Sequence, residues 1–136
     1  MIRYSIGAFA AVMVAGAAQA ATPSPLDIVN HHVTAVAKSD VAAMMADYAD
    51  DAVVLEAGQA MQGKAAIHAL YERLFPKQPA GAAPSGVAAM KVKRIWQEGD
   101  VGFVNWQMGT TNGTDEFLIR DGKIAVQAVF MGAAAK

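Results

Sequence analysis

The chain has 136 residues, a formal net charge of −1 and no cysteine. This length is typical of one domain, and the near-neutral charge argues against the basic surface that nucleic-acid binding needs. The lack of cysteine excludes thiol catalysis and thiolate metal sites. The sequence also lacks the basic amphipathic helix that is typical of proteins that bind a membrane surface.

The first 20 residues have the pattern of a cleaved export signal. Arg3 gives a short positive region, residues 6–18 contain no charge, and Ala18-Gln19-Ala20 has the small-x-small pattern of a cleavage site. The apolar run is short for a bilayer span. We therefore expect residues 1–20 to be removed and residues 21–136 to form a single periplasmic or secreted domain without membrane contact. A retained N-terminal anchor is the alternative.

Three helices and a pair of strands are predicted in the first part of this domain. Ser24-Pro25-Leu26-Asp27 is typical of a capped helix start, and apolar residues follow at three- and four-residue spacing. In chain order, the predicted elements are a helix from Ser24 to Ala37, a helix from Asp40 through Tyr48, strands at Ala52–Glu56 and Gln59–Gln62, and a helix that begins at Gly63 and ends at Pro76.

The second part of the domain alternates with period two, which indicates β-strands. It follows a loop at 79–86 that is rich in Pro, Ala, Gly and Ser. Gly99-Asp100, Asn112-Gly113 and Asp121-Gly122 are typical hairpin turns. The strands predicted between them are 87–97, 101–110, 114–120 and 123–131. Helices followed by an antiparallel meander predict an α+β domain with the helices on one face of the sheet.

The two later turns predict which side chains share the face that meets the helices. Two-residue turns at Asn112-Gly113 and Asp121-Gly122 place Asp115 on this face and Gln127 on the opposite one. The other residues predicted on the inner face are Trp106, Met108, Phe117, Ile119, Ile124, Val126, Ala128 and Phe130. A carboxylate among these apolar residues is costly unless it is protonated or partnered, so Asp115 is a candidate site residue.

Three segments resemble the nuclear transport factor 2-like superfamily, in its ketosteroid isomerase-like and SnoaL-like (polyketide cyclase) branches. They are residues 46–56, the start of the third helix at 63–67 and the hairpin at 115–124. The resemblance implies a cone-shaped, curved, mixed or antiparallel sheet wrapped by three N-terminal helices, a cystatin-like α+β barrel. Such cones usually hold an apolar ligand, so a small apolar molecule is the expected partner.

The resemblance to ketosteroid isomerases also implies site residues. Glu56 falls at the place of their carboxylate base, His32 at that of the oxyanion-hole tyrosine, and Asp115 at that of their protonated aspartic acid. Glu56 for Asp and His32 for Tyr depart from the family pattern. The residues that we expect to line the ligand cavity are Trp106, Met108, Phe117 and Phe130.

Each candidate has an alternative interpretation as a structural residue. Glu56 can be a solvated carboxylate at a strand end, and His32 a partly buried histidine satisfied by the backbone. The neighbouring His31 points to the other side of the helix, so no two-histidine metal site is expected. No motif indicates a cofactor.

The structural alternative for Asp115 is an ion pair or hydrogen bond with Thr110, Arg94 or a helix N-terminus.

Three functions stay open at this stage. The first is an enzyme that moves a proton on an apolar carbonyl or polycyclic compound, with Glu56 as base and His32 and Asp115 as donors. The second is an exported binding protein that uses the same cone without turnover. The third is a dimerisation module that pairs through the outer face of the sheet. The residues predicted on this face are compatible with a homodimer.

Overall fold

The computed structural model describes residues 22–79 and 81–133, so the predicted signal segment lies outside the described residues. The helices are α1 (Pro25–Ala37), α2 (Val41–Asp47) and α3 (Lys64–Leu74), and a short 3₁₀ helix spans Gly86–Ala89. The strands are β1 (Tyr48–Glu56), β2 (Gln59–Gln62), β3 (Lys91–Glu98), β4 (Val101–Met108), β5 (Thr111–Arg120) and β6 (Lys123–Ala133).

The six strands form one mixed sheet in the order β2-β1-β6-β5-β4-β3. The pair β1–β6 is parallel and the other pairs are antiparallel. The predicted α+β class and cystatin-like architecture, a curved sheet with three helices, are therefore confirmed. Within 22–79 and 81–133, the helices are all too short or too polar to cross a bilayer.

Helix α1 begins at the predicted cap and packs closely on β4. The Ser24 hydroxyl accepts a hydrogen bond from the Asp27 amide at 3.2 Å, and the Asp27 carboxylate accepts one from the Ser24 amide at 3.1 Å. These bonds satisfy amides that the first helical turn leaves without partners. Val29 is fully buried against Gly102 of β4, where any Cβ would overlap the Val29 side chain.

The second helix ends earlier than predicted. Tyr48 is the first residue of β1, not the last turn of α2, and Asp50 and Asp51 lie within the strand. Tyr48 pairs with Ile124 of β6 and is almost fully buried, at 1% exposure. Burial of this aromatic side chain between the sheet and α3 outweighs the helical spacing of Met44, Met45 and Tyr48.

The predicted register rests on two hairpin turns, of which the structure confirms one and contradicts the other. Asp121 and Gly122 form the expected two-residue turn, with φ angles of 51° and 70°. The turn between β4 and β5 lies at Gly109-Thr110 instead of Asn112-Gly113, and Gly109 has the left-handed φ of 59°. Gly113 lies inside β5, opposite Trp106.

A register shift between Leu118 and Ile119 changes the faces of β6. It pairs Phe117 with Gln127 and Asp115 with Val129, whereas the sequence predicted Val126 and Ala128 as their partners. A single extra residue moves every later side chain to the other face. The predicted inward positions of Val126, Ala128 and Phe130 are therefore wrong, as is the outward position of Gln127, which is 4% exposed.

Candidate functional site

An apolar cavity of about 210 Å³ lies between the helices and the inner face of the sheet. Polar side chains lie among its apolar walls. The lining residues are His32, Val36, Val54, Glu56, Leu70, Tyr71, Leu74, Val87, Met90, Trp106, Met108, Asp115, Gln127, Val129 and Met131.

A second and larger space is a poor candidate for a ligand site. It is an open groove of about 1090 Å³ between the end of α3 and residues 82–86. None of the predicted site residues lines this groove, and most of the residues that line it are exposed. The inner cavity is therefore the candidate functional site.

The cavity brings the three predicted catalytic residues together. Glu56, His32 and Asp115 all line it, from β1, α1 and β5. Trp106 and Met108 of β4 also line it, as predicted. The catalytic roles of these residues stay predictions.

The two predicted phenylalanines lie elsewhere. Phe117 is 1% exposed and is not a lining residue; its ring packs beside that of His32, with centroids 5.5 Å apart. Phe130 is 56% exposed and lies on the outer side of β6, because of the register shift at Leu118. The prediction that Phe130 lines the cavity is therefore wrong.

Asp115 is held as a hydrogen-bond acceptor. Its Oδ1 accepts from Trp106 Nε1 at 2.9 Å and its Oδ2 from Gln127 Nε2 at 3.2 Å. Burial raises the pKa of Asp115 to about 6, the two hydrogen bonds act in the lowering direction, and the nearby charge of Glu56 raises it further. At neutral pH this pKa favours the carboxylate form, whereas the resemblance implies a protonated donor, and the role of Asp115 stays a prediction.

Neither structural partner expected from the sequence, Thr110 nor Arg94, hydrogen-bonds Asp115.

Gly113 makes the Trp106–Asp115 contact possible. The Trp106 indole ring lies directly over Gly113 on the neighbouring strand, and a Cβ there would overlap the ring. Because glycine leaves this space empty, the indole lies flat on β5 and directs its N–H to Asp115, two residues further along. The sequence analysis placed Gly113 in a turn and so missed this role.

His32 is buried and contacts side chains at both ring nitrogens. It is 1% exposed, its Nδ1 lies 3.3 Å from Asp47 Oδ2, and its Nε2 lies 3.3 Å from the Tyr71 hydroxyl. The alternative interpretation, in which the backbone satisfies His32, is therefore wrong. The other oxygen of Asp47 lies 2.7 Å from Nδ1 of His31, whose side chain is 57% exposed.

Two tyrosines and a glutamine connect His32 with Asp115. The hydroxyls of Tyr48 and Tyr71 lie 2.6 Å apart, and Tyr71 donates to Gln127 Oε1 at 3.1 Å. Tyr48 also donates to Gln127 Oε1, while Nε2 of Gln127 donates to Asp115. Burial raises the pKa of both tyrosines well above the ordinary value, so both hydroxyls keep their protons.

Glu56 is the less constrained carboxylate of the site. It lies at the end of β1 beside Val129 of β6 and is partly exposed. None of the hydrogen bonds found among residues 22–79 and 81–133 engages its side chain. Its carboxylate is therefore available to a ligand.

The sequence analysis missed Asp47, Tyr48, Tyr71 and Gln127 as site residues. Helical spacing placed Tyr71 on the apolar face of α3, but nothing in that pattern distinguished a cavity-lining tyrosine from a core one. The register shift moves Gln127 to the inner face, whereas the sequence placed it on the outer one. Asp47 ends α2, directly before a strand that the sequence predicted to start at Ala52. Among the described residues, no cluster of three or more His, Asp or Glu side chains could hold a metal ion.

Solved structures with the same fold are numerous. A nuclear transport factor 2-like protein of unknown function from Burkholderia xenovorans is 23% identical, with a TM-score of 0.65; the match covers 82% of this chain and 85% of that one. A putative polyketide cyclase from Sinorhizobium meliloti is 26% identical, with a TM-score of 0.57 and coverage of 76% and 94%.

A third similar structure is an epoxide hydrolase of M. tuberculosis described as LEH-like. It is 17% identical, with a TM-score of 0.59 and coverage of 79% of this chain and 82% of that one. No curated protein matches the sequence. The family model of the SnoaL-like domain matches residues 29–127, which include α1 from Val29 onward and extend to Gln127. The chain therefore belongs to the SnoaL-like domain family.

Proposed function

We propose that this domain binds a compact apolar carbonyl compound in the inner cavity and catalyses proton transfer on it, as an isomerase or cyclase does. The observation that supports this most strongly is the carboxylate of Asp115. It lines an apolar cavity, accepts two hydrogen bonds and has a pKa of about 6. A general base is most effective when its pKa lies near the working pH, because it is then both ionised and basic.

Asp115 is the base in this proposal. It takes a proton from the carbon next to the carbonyl, and the electron pair of the broken C–H bond moves to the carbonyl oxygen to give an enolate. In a β,γ-unsaturated ketone the enolate is conjugated, and return of the proton from Asp115 to the γ-carbon completes an isomerisation. Attack of the enolate carbon on a second carbonyl of the substrate instead gives an alkoxide, which takes the proton back from Asp115 and completes a cyclisation. Glu56 lies close enough to raise the pKa of Asp115 and is a second acceptor for the proton.

The cavity volume restricts the substrate. A cavity of about 210 Å³ is small for a ligand pocket, since such pockets typically measure roughly 300–1,000 Å³. Of the apolar carbonyl and polycyclic compounds expected from the resemblance, the proposal therefore favours the smaller ones, such as single-ring or short-chain ketones.

Proteins with this fold include enzymes by name. The Sinorhizobium meliloti protein is described as a putative polyketide cyclase and the M. tuberculosis protein as an LEH-like epoxide hydrolase. The first of these names supports a cyclase-like activity for the present chain.

The test is deuterium exchange at the α-carbon of cyclohexanone in D₂O, followed by NMR at fixed pH. We expect the wild-type protein to accelerate exchange and Asp115→Asn to lower this rate at least ~100-fold, since a positioned base contributes roughly 10²–10⁴-fold. Glu116→Gln is the matched control, because Glu116 is the next residue but faces away from the cavity. Full activity of Asp115→Asn would refute the role of this base.

The second candidate is a binding protein without turnover. The complete set of partners around Asp115 and His32 favours it, because such networks also occur where polar groups only orient a ligand. Native mass spectrometry of protein purified from its own host would reveal a retained ligand. A bound ketone with no exchange above background would favour this candidate.

We also propose that the protein is exported. The support is the sequence pattern of residues 1–20, with the cleavage pattern at Ala18-Gln19-Ala20. Sequencing of the N-terminus of the protein from its own host should find a start near Ala21. A start at Met1 would contradict export by this route.

A homodimer is the third proposal, and the outer face of the sheet supports it. This face exposes Leu55 at 43% and Phe130 at 56%, and the stacked rings of Trp96 and Phe103 lie on the same side. Large apolar side chains exposed on one face favour an interaction surface.

A further inference from the structure

We infer that the molecule bound in the inner cavity carries a protonated amine, which pairs with the carboxylate of Glu56. This inference rests on the proposed function for the position of the carbonyl group at Asp115, and it narrows the substrate to a small amino ketone. Three features of the cavity support it: the sign of its charge, the positions of its two carboxylates and the orientation of the Trp106 ring.

The negative charge of the cavity lacks a cationic partner among the described residues. Those that line the cavity include the carboxylates of Glu56 and Asp115 and neither lysine nor arginine. His32 also lines it, but its ring nitrogens lie beside Asp47 and the Tyr71 hydroxyl instead of these two carboxylates. An apolar space disfavours unbalanced charge, so a cationic ligand complements this cavity better than a neutral one.

The two carboxylates lie in one row across three adjacent strands. Glu56 of β1 is paired with Val129 of β6, and Val129 is paired with Asp115 of β5. Paired residues point to the same face, and neighbouring strands are ~4.8 Å apart, so the Cα atoms of Glu56 and Asp115 are about 10 Å apart. One small ligand can therefore contact both carboxylates, with its cation at Glu56 and its carbonyl group at Asp115.

Glu56 is the carboxylate that is available to the cation. Asp115 already accepts hydrogen bonds from Trp106 and Gln127, whereas none of the hydrogen bonds or ion pairs found among residues 22–79 and 81–133 engages the Glu56 side chain. The charge of Glu56 also acts to raise the pKa of Asp115, and a bound ammonium group neutralises it. The cation therefore satisfies Glu56 and leaves Asp115 in place as the base.

The indole ring of Trp106 presents one of its faces to the cavity. A Cβ on Gly113 would overlap three adjacent atoms of the ring, so a face of the indole and not its edge covers Gly113. The opposite face is directed to the cavity, which Trp106 lines. Within the described part of the chain, no aromatic ring or cation stacks on that face. Because the face of an indole attracts positive charge, it adds to the preference for a cationic ligand.

A protonated amine on the substrate also supplies positive charge that the proposed reaction needs. When Asp115 takes the α-proton, the electron pair of the C–H bond becomes negative charge on the carbonyl oxygen of the enolate. The described lining contains neither lysine nor arginine to stabilise this charge. An ammonium group in the same small molecule stabilises it electrostatically. The ammonium group keeps its proton throughout, so the balance of the reaction is unchanged.

The direct test compares the affinities of cyclohexylammonium and cyclohexanol, a neutral molecule of nearly the same size, by calorimetric titration at pH 7. We expect wild type to bind the cation about ten-fold more tightly, as a partly exposed ion pair and an aromatic face together allow. Glu56→Gln should reduce this preference to about two-fold or less. Glu116→Gln is the matched control, because it removes the same charge from the outer face of the sheet and should keep the preference.

Two results of this titration would overturn the inference. One is that wild type binds the ammonium ion no more tightly than the alcohol, or does not bind it at all. The other is an equal loss of preference in Glu56→Gln and Glu116→Gln, because the preference would then reflect the net charge of the protein and not the cavity.

Nuclear Overhauser effects locate the bound cation. The chain has two tryptophans, and Trp96 is stacked on Phe103 at the outer face of the sheet. A Trp96→Phe variant therefore leaves the Trp106 indole as the one tryptophan signal. We expect Overhauser effects between the indole protons of Trp106 and the ring protons of bound cyclohexylammonium. Binding without these effects would contradict the placement of the ligand in the inner cavity.

Exchange at the α-carbon separates this inference from the proposed function. After correction for the uncatalysed rates, kcat/KM of wild type for protonated 4-aminocyclohexanone should exceed that for cyclohexanone about ten-fold, and Glu56→Gln should remove the difference. Equal values for the two ketones would overturn the inference and leave the proposed function in place. Preferred binding of cyclohexylammonium without exchange of either ketone would instead refute the proposed function and support the amine site at Glu56.

Discussion

Asp115 experiences two opposing effects, and their balance sets its chemistry. The apolar cavity disfavours its charged form, whereas the N–H groups of Trp106 and Gln127 favour it. The resulting pKa of about 6 lies above the value of 3.8 for the free side chain. Between these values the folded protein binds more protons at this site than the unfolded chain does.

This difference predicts how stability changes with pH. Because the folded state binds the extra proton, the free energy of unfolding falls as the pH rises from about 4 to about 6.5, by at most ~3 kcal/mol for this group. Asp115→Asn removes the titrating group. We therefore expect chemical denaturation of wild type and variant to show a smaller fall for the variant across this range. An identical pH dependence would contradict the raised pKa.

Gly113 offers a test of the Trp106 contact. Gly113→Ala places a methyl group where the Trp106 ring lies, so the ring must move and its hydrogen bond to Asp115 is lost. We expect a loss of roughly 1–3 kcal/mol in thermal or chemical denaturation, as overpacking typically costs. Gly132→Ala is the control, because the space around Gly132 is open. Equal losses in both variants would argue against a specific role for Gly113.

Residue types and their spacing were enough to find part of the site. A carboxylate at 115 in an apolar strand is anomalous in any register, so Asp115 could be found even though its predicted neighbours were wrong. Gln127 and Tyr71 could not, because a polar residue in an alternating strand and an aromatic residue on an apolar helix face both have ordinary structural explanations. Their roles emerge only from contacts between distant elements.

At the scale of elements, two equally good turn sequences have different outcomes. Asp121-Gly122 adopts the predicted turn, with positive φ at both residues. Asn112-Gly113 has an equally good turn sequence, but packing of Trp106 requires glycine within the strand, and Gly109 can form the turn instead. Tertiary packing therefore outweighs local preference at this hairpin.

Helix α1 carries His32, so its start is worth a test of its own. Ser24→Ala removes the hydroxyl that caps the helix, and we expect the free energy of unfolding to fall by about 1 kcal/mol. Ser85→Ala is the control, because Ser85 precedes the 3₁₀ helix without a side-chain cap bond. A larger effect of the Ser85 variant would show that the cap does not determine the stability of α1.

For the whole molecule, the architecture was predictable from the sequence, whereas the polar network at the cavity was not. The order of the elements and the spacing of their apolar residues predict helices on one face of a sheet, which is the observed arrangement. The polar network depends on contacts among α1, α2, α3, β1, β5 and β6, such as that between Tyr48 and Gln127, 79 residues apart. No local pattern encodes such a contact.

The outer sheet face predicts a dimer that a single charge can disrupt. Leu118→Arg places a cation at the centre of this face, opposite Val101 and Val126, and leaves the cavity unchanged. We expect analytical ultracentrifugation to find a dimer of wild type and a monomer of the variant. A monomeric wild type at micromolar concentration would contradict the proposed homodimer.

The pH dependence of α-carbon exchange on cyclohexanone tests the central claim most directly, namely that the Asp115 carboxylate is the base in an apolar cavity. The carboxylate form is the active one, so kcat/KM should rise with pH, pass its midpoint near the pKa of about 6 and level off above pH 7. Asp115→Asn should abolish this rise, and Glu116→Gln should reproduce it. A wild-type rate that is constant or falls between pH 5 and pH 8 would contradict the assignment.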